Sequence, residues 1–274
     1  MGRVIQTLPE GEPVDGVTSL DNRLYVLRGN KSSEQIEVYD IESYLLLNCL
    51  TVPRLGAVVR DIVACRNNRC AYISDWSLNS VHRMALSDAT VRRWPVNDEP
   101  AGLSLTHRHG VLVTCREVRK IKEFSTDGQL LHVLTLPQDV MSPLHAIQLS
   151  SGQFVVCHGV GADPLHRVCL IGSDGNAVKS FGGQKGSGSQ RINTPAHMAV
   201  DRNEFLFVVD ANNRRLLLLS PQFAYVREVV SCAQLWRRPL GVHLDYVYDA
   251  ERLYVAHESK DGTFSAGRVD VVSV

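Results

Sequence analysis

The chain has 274 residues, 44% of them hydrophobic and 21% charged, with 29 Lys and Arg balancing 29 Asp and Glu. These proportions suit an ordinary globular protein and disfavour a basic nucleic-acid arm, an acidic tail and a disordered chain. No apolar run approaches the ~20 residues of a membrane-spanning helix. The opening MGRVIQTLPEGEP lacks the apolar core of a signal peptide, and Gln6 stands where a myristoylation signal wants Ser or Thr. The expectation is a soluble, cytoplasmic, intracellular protein with no membrane partner.

Residues 2–8, GRVIQTL, make a first short apolar run. VDGVTSLD from Val14 then opens a unit that recurs without gaps as VRDIVACR from Val59, PAGLSLTH from Pro100, PLHAIQLS from Pro143, PAHMAVDR from Pro195 and PLGVHLDY from Pro239. The starts are separated by roughly 40–50 residues, the period of a four-stranded propeller blade. Each opening is followed, after a polar turn such as SSGQ or DRNE, by a second apolar run, LYVLRG, AYISDW, VLVTCR, FVVCHG, LFVVDA and LYVAHE in turn. A third run shows more alternation (QIEVYD, SVHRMAL, KIKEFS, HRVCLI, RLLLLS, RVDVVS), as expected of a strand with one less buried face. A fourth run follows only the first five repeats, because Val274 comes directly after the sixth third run. Residues 2–8 are apolar enough to supply the missing strand, which would leave no open seam in the ring. The sequence therefore predicts an all-β chain: one six-bladed β-propeller of four-stranded antiparallel blades over residues 1–274, the N-terminal strand closing the last blade.

The segment FGGQKGSGSQRINTPAHMAVDRNEFLFVVDANNRRLLLLS, Phe181 to Ser220, resembles the NHL-repeat propellers. It has their glycine-rich loop, Pro before an inner strand, Asp closing the second strand and an Asn-Asn-Arg turn, and DWSLNSV from Asp75 is a weaker copy. The resemblance implies a binding platform, since NHL propellers of tripartite-motif proteins bind proteins or RNA. Similar propellers also include a zinc-dependent amidating lyase and calcium-dependent lactonases. The chain carries no RING, B-box or coiled-coil segment, so ligase activity is not implied, and the propeller is compatible with a domain excised from a larger protein.

Two alignment columns are expected at the channel mouth. The start of the inner strand gives Gly16, Asp61, Gly102, His145, His197 and Gly241, and the end of the second strand gives Arg28, Asp75, Cys115, His158, Asp210 and His257. His145, His158 and His197 thus come from adjacent blades, and three imidazoles around an open position suit zinc. The lyase relatives place a zinc-binding His directly after Pro, where this chain has Leu144 and Ala196. Asp75 and Asp210 suit the closing of turns better than calcium, which wants 6–8 oxygen ligands and finds no D-x-D-x-D-G loop. The loop Gly182 to Ser189 lacks the phosphate-loop order and reads as a connection between blades. No G-x-S-x-G motif occurs, and the seven cysteines read as reduced, mostly buried residues, with one disulfide conceivable across the turn between Cys65 and Cys70.

The leading expectation is a monomeric, non-enzymatic scaffold that recognises a protein or peptide with the rim residues Arg28, Trp76, Arg116, His158, Asn212 and His257, without a cofactor. The alternative is a metal-dependent lyase or lactonase using zinc, or calcium, at His145, His158 and His197. RNA is a third partner class, suggested by Arg92-Arg93-Trp94 and Trp236-Arg237-Arg238, although the expected mouth loops show no excess of Lys and Arg.

Overall fold

The computed structural model describes residues 2–29, 35–235, 237–258 and 267–274. Trp236 lies outside them. Its strands fall into six four-stranded antiparallel sheets. Blade one contains β2 (Val14–Leu20), β3 (Arg23–Arg28), β4 (Gln35–Asp40) and β5 (Leu46–Thr51). Blade two contains β6 (Val59–Cys65), β7 (Cys70–Asp75), β8 (Ser80–Ala85) and β9 (Val91–Pro95). Blade three contains β10 (Pro100–Leu105), β11 (Val111–Cys115), β12 (Lys120–Phe124) and β13 (Leu130–Thr135). Blade four contains β14 (Pro143–Gln148), β15 (Phe154–His158), β16 (His166–Ile171) and β17 (Ala177–Gly183). Blade five contains β18 (Pro195–Val200), β19 (Leu206–Asp210), β20 (Arg215–Leu219) and β21 (Tyr225–Val230). In blade six, β22 (Pro239–Val247), β23 (Ala250–His257) and β24 (Arg268–Ser273) are joined by β1 (Arg3–Thr7) as the outer strand.

The apolar runs explain this arrangement. A strand covered on both faces needs apolar residues at every position, and the second strands β7, β11, β15 and β19 are buried throughout. The outer strands β5 and β13 are largely exposed. The buried side chains form six clusters, one between each pair of neighbouring blades. The one joining blades six and one, for example, packs Leu8, Val14, Leu24 and Tyr39 against Tyr254, Val269 and Val271. Stability is therefore distributed around the ring, and closure contributes an interface equivalent to the other five.

Each inner strand carries a register shift just after its first residue, at Val14/Gly16, Val59/Asp61, Pro100/Leu103, Pro143/His145, Pro195/Met198 and Pro239/Gly241. A bulge bends the strand and re-aims the side chain beside it. Repeated six times, it turns one alignment column toward the channel. Cys65 and Cys70 sit opposite each other in the β6–β7 hairpin as free, buried thiols, and no disulfide joins them. No helix among the described residues is long and apolar enough to cross a membrane.

Candidate functional site at the channel mouth

The inner-strand column forms a ring across the channel. Asp61, His145 and His197 bring ligand atoms within 4.8 Å of one another. Gly16 and Gly102 make room for them: a Cβ on Gly102 would stand 2.7 Å from the His145 ring, and one on Gly16 would stand 2.9 Å from the Ile62 backbone nitrogen. The rings of His145 and His197 stack with centroids 3.7 Å apart and planes 25° from parallel. Asp61 accepts hydrogen bonds from the backbone N–H of Ile62 and of Leu103, each at 2.8 Å, and lies 3.3 Å from His197 Nε2. His145 Nε2 is 3.1 Å from the Leu103 carbonyl, so it carries the proton and donates.

Burial pushes the His145 imidazole down to about 3, and neighbouring His197 adds to the shift. The ring is thus neutral at physiological pH. Burial alone would raise the Asp61 carboxyl, but His197, His145 and the Leu103 N–H together hold it below the usual carboxylate range. Nδ1 of both His145 and His197 is buried without a hydrogen-bond partner.

Above this ring a cavity of about 330 Å³ forms a vestibule. It is lined by the column one residue earlier, Asp15, Arg60, Ala101, Leu144, Ala196 and Leu240, together with Arg116, Arg238 and Glu258. Arg238 is neutralised by Glu258 at 3.1 Å. Arg60 lies 5.5 Å from the centroid of the Trp76 ring, and Arg116 Nε has no hydrogen-bonded partner. Burial pushes the Asp15 carboxyl up to about 7, with the Arg60 guanidinium opposing the rise. Among the described residues, the vestibule therefore holds two cations with no hydrogen-bonded carboxylate, Arg116 lying 3.6 Å from Glu117, and an acid that titrates near neutrality. Below the ring, a second cavity of about 210 Å³ has apolar walls that include Val17, Ile62, Leu103, Met198 and Val242. A larger cavity of about 590 Å³ lies elsewhere, beside the hairpins of blades three and four at His107, His109 and His132. It contributes no cluster of three metal-ligating groups among the described residues.

The second-strand column does not reach the rim. Arg28, His158 and His257 are 3%, 0% and 0% exposed, because the second strand is covered on both faces up to its last residue. Among the described residues, Arg28 is tied to Glu37 and to the backbone of Pro9, Glu12 and Gly267. His158 faces the Met141 carbonyl and accepts from Arg167 Nε, while His257 lies 3.0 Å from the Asp270 carboxylate. His158 is consequently absent from the expected three-histidine set, and Asp61 takes the third place. Asp75 and Asp210 close turns as expected: Asp75 accepts from the backbone of Gly56 and Leu78, and Asp210 accepts from the backbone of Asn193 and from Asn213 and Arg215. Trp76 and Arg116 are half-buried, with Arg116 lining the vestibule, and exposed Asn212 is held by Thr194 and Arg238. The Trp94 ring of Arg92-Arg93-Trp94 is buried between Tyr72 and Phe124, where no base can stack on it.

Asp15 and Arg60 escaped the sequence reading, and Arg238 entered it only within the Trp236-Arg237-Arg238 stretch. The signal was present, since Asp15 and Arg60 occupy the alignment column immediately before Gly16 and Asp61.

Six blades around a channel with a polar ring define a β-propeller. No protein-family profile matches the chain, and no curated protein matches it in sequence. Solved structures do match it in fold. An inactive variant of virginiamycin B lyase from Staphylococcus aureus, bound to quinupristin, superposes with a TM-score of 0.68 at 10% identity, covering 100% of each chain. A PQQ-bound aldose sugar dehydrogenase from Streptomyces coelicolor gives a TM-score of 0.72 at 13% identity over 100% of this chain and 98% of that one. Hydrazine synthase from Kuenenia stuttgartiensis gives 0.67 at 11% identity over 96% of each. At such identities the likeness is one of fold.

Proposed function

We propose that the chain is a binding propeller of NHL type that takes an acidic peptide segment into the vestibule. The carrying observation is the convergence of Arg60, Arg116 and Arg238, from separate blades, on one cavity in which, among the described residues, Arg238 pairs with Glu258 at 3.1 Å, Arg116 lies 3.6 Å from exposed Glu117 and Arg60 has no carboxylate at ion-pair distance. A carboxylate entering there meets guanidinium groups suited to bidentate, charge-assisted hydrogen bonds. A glutamate-rich peptide should bind saturably in fluorescence anisotropy, and its glutamine counterpart should bind at least about tenfold more weakly, as loss of ~1.4 kcal/mol implies. Arg116→Glu and Arg60→Glu should each abolish most of the difference. Equal binding of the two peptides, or none of either, would reject the reading.

The same site predicts the pH dependence. Asp15 is a carboxylate above about 7 and a neutral hydrogen-bond donor below it. Protonation removes a negative charge from the vestibule, so affinity for the acidic peptide should strengthen as pH falls from about 8 to about 6. Asp15→Asn should remove that dependence and retain the strong binding at both values.

A second reading is a metal-assisted lyase. The donor set of one carboxylate and two imidazoles suits zinc, and the two buried, unpartnered Nδ1 atoms favour it. Asp61, His145 and His197 would hold the ion, which as a Lewis acid would polarise a carbonyl or a bound water. It ranks second because rings stacked 25° from parallel direct their lone pairs side by side, so sharing one ion needs a ring to turn. Equilibrium dialysis against zinc decides it: close to one ion per chain, lost in His197→Ala, supports the lyase, and binding well below one ion rejects it.

A further inference from the structure

Toward the other end of the channel, three to five residues further along the inner strands and thus ~10–17 Å from the vestibule, Ser19 of blade one meets His243 and Asp245 of blade six. Ser19 Oγ is 2.8 Å from His243 Nε2 and donates to Asp245 Oδ2 at 2.5 Å. The Ser19 backbone N–H also donates to His243 Nε2 at 3.1 Å. That bond requires an unprotonated Nε2, which fixes the neutral ring as the Nδ1–H tautomer with its lone pair turned to the serine. The second Asp245 oxygen accepts from the Tyr246 N–H at 2.7 Å, so the carboxylate is held in place. All three residues are only partly buried, and His243 lines the apolar lower cavity of about 210 Å³.

We propose that Ser19 is a nucleophile, with His243 as its general base and Asp245 as the positioning residue, in an esterase site for small apolar acyl groups lodged in the lower channel. The roles follow from the contacts. As Ser19 Oγ forms a bond to the ester carbonyl carbon, the hydroxyl proton leaves its hydrogen bond to Asp245 and passes to His243 Nε2, 2.8 Å from Oγ. The C–O bond to the alcohol breaks, and the departing oxygen takes that proton. Water then attacks the acyl-serine, giving a proton to His243, which returns it to Ser19 as the carboxylic acid leaves. Asp245 orients the hydroxyl before attack, and its charge favours the imidazolium that forms. The other groups facing His243 are His197 and Asp61 along the channel and the Tyr254 ring, stacked at 6.4 Å. Burial keeps the imidazole below its ordinary range, so the base form predominates at neutral pH.

The direct test is labelling of the intact wild-type chain at neutral pH with a small alkyl fluorophosphonate. Ser19 would form a P–O bond, the P–F bond would break, and fluoride would leave. One adduct per chain, mapped to Ser19 by peptide mass spectrometry, is expected, with none in Ser19→Ala and at least about tenfold slower labelling in His243→Gln, since the base contributes typically 10²–10⁴-fold. Hydrolysis of p-nitrophenyl butyrate should follow the same order. The same three residues also join the first blade to the last. No adduct on wild-type protein, under conditions that label a serine esterase, would make them a structural latch only and overturn the proposal, whatever the variants do to stability.

Discussion

Deleting residues 1–9 is expected to lower the melting temperature on the order of 10 °C and to promote aggregation. β1 pairs with β24 through Arg3↔Ser273, Val4↔Val272, Gln6↔Val271 and Thr7↔Asp270, and Thr7 Oγ1 donates to Asp270 at 2.8 Å. Leu8 is 1% exposed in the cluster that joins the last blade to the first. Losing such a leucine alone costs roughly 2–5 kcal/mol, and ~1 kcal/mol moves the melting temperature ~2–4 °C in a chain of this size. The freed β24 would present an unpaired edge, the usual template for aggregation. The two neighbouring apolar residues of the strand should behave differently, which calorimetry on single variants can check. Val4 packs against the core between blades five and six, whereas Ile5 is 40% exposed beside a bulge, so Val4→Ala should destabilise and Ile5→Thr should not. Both faces of β1 would matter in a fully covered strand; its outer position leaves one in water. An unchanged transition for the truncated chain would contradict strand closure.

Arg28→Ala should destabilise by roughly 3–5 kcal/mol, the cost of removing one partner from a buried ion pair, while leaving acidic-peptide binding by the folded fraction unchanged. The guanidinium bonds Glu37 at 2.6 Å and the carbonyls of Glu12, Gly267 and Pro9 at 2.8, 2.9 and 3.0 Å. Without it, the Glu12 and Pro9 carbonyls lose their donor, the Gly267 carbonyl keeps the Gly11 N–H at 3.2 Å, and among the described residues Glu37 keeps only the Tyr39 hydroxyl, at 2.7 Å. Arg28→Lys should recover little, because one ammonium cannot span four acceptors arranged around a planar fork. Urea denaturation with the midpoint and slope fitted together measures the effect. A variant with normal stability and lost peptide binding would return Arg28 to the recognition role that its place in the repeat suggested.

The glycine-rich loop shows how far local composition carries. Its lack of a phosphate-binding order was legible, but its anchoring was not: Asn213 donates to the Gly186 carbonyl and Arg215 to that of Gly188, and Ile192 beyond it is fully buried. Those partners lie 27 residues away in sequence, so no local pattern announces them. His158 makes the same point for the site. Its alignment column was sound as a register, yet the last residue of a second strand faces neighbouring loops inside the fold.

The sequence by itself determined the blade count, the strand order and the closing strand, because hydrophobic period, polar turns and a missing fourth run are local properties repeated six times. It also determined the ring column, since a repeat places equivalent residues at equivalent heights. Tertiary structure alone decided which members of a column face the channel and what they meet there. The bulge after each first inner-strand residue turns Asp61, His145 and His197 inward, and the glycines at 16 and 102 leave the space they fill. The meeting of Ser19 with His243 and Asp245 likewise exists only when the last blade closes on the first, because side-chain convergence depends on radial packing between blades that the linear spacing does not encode.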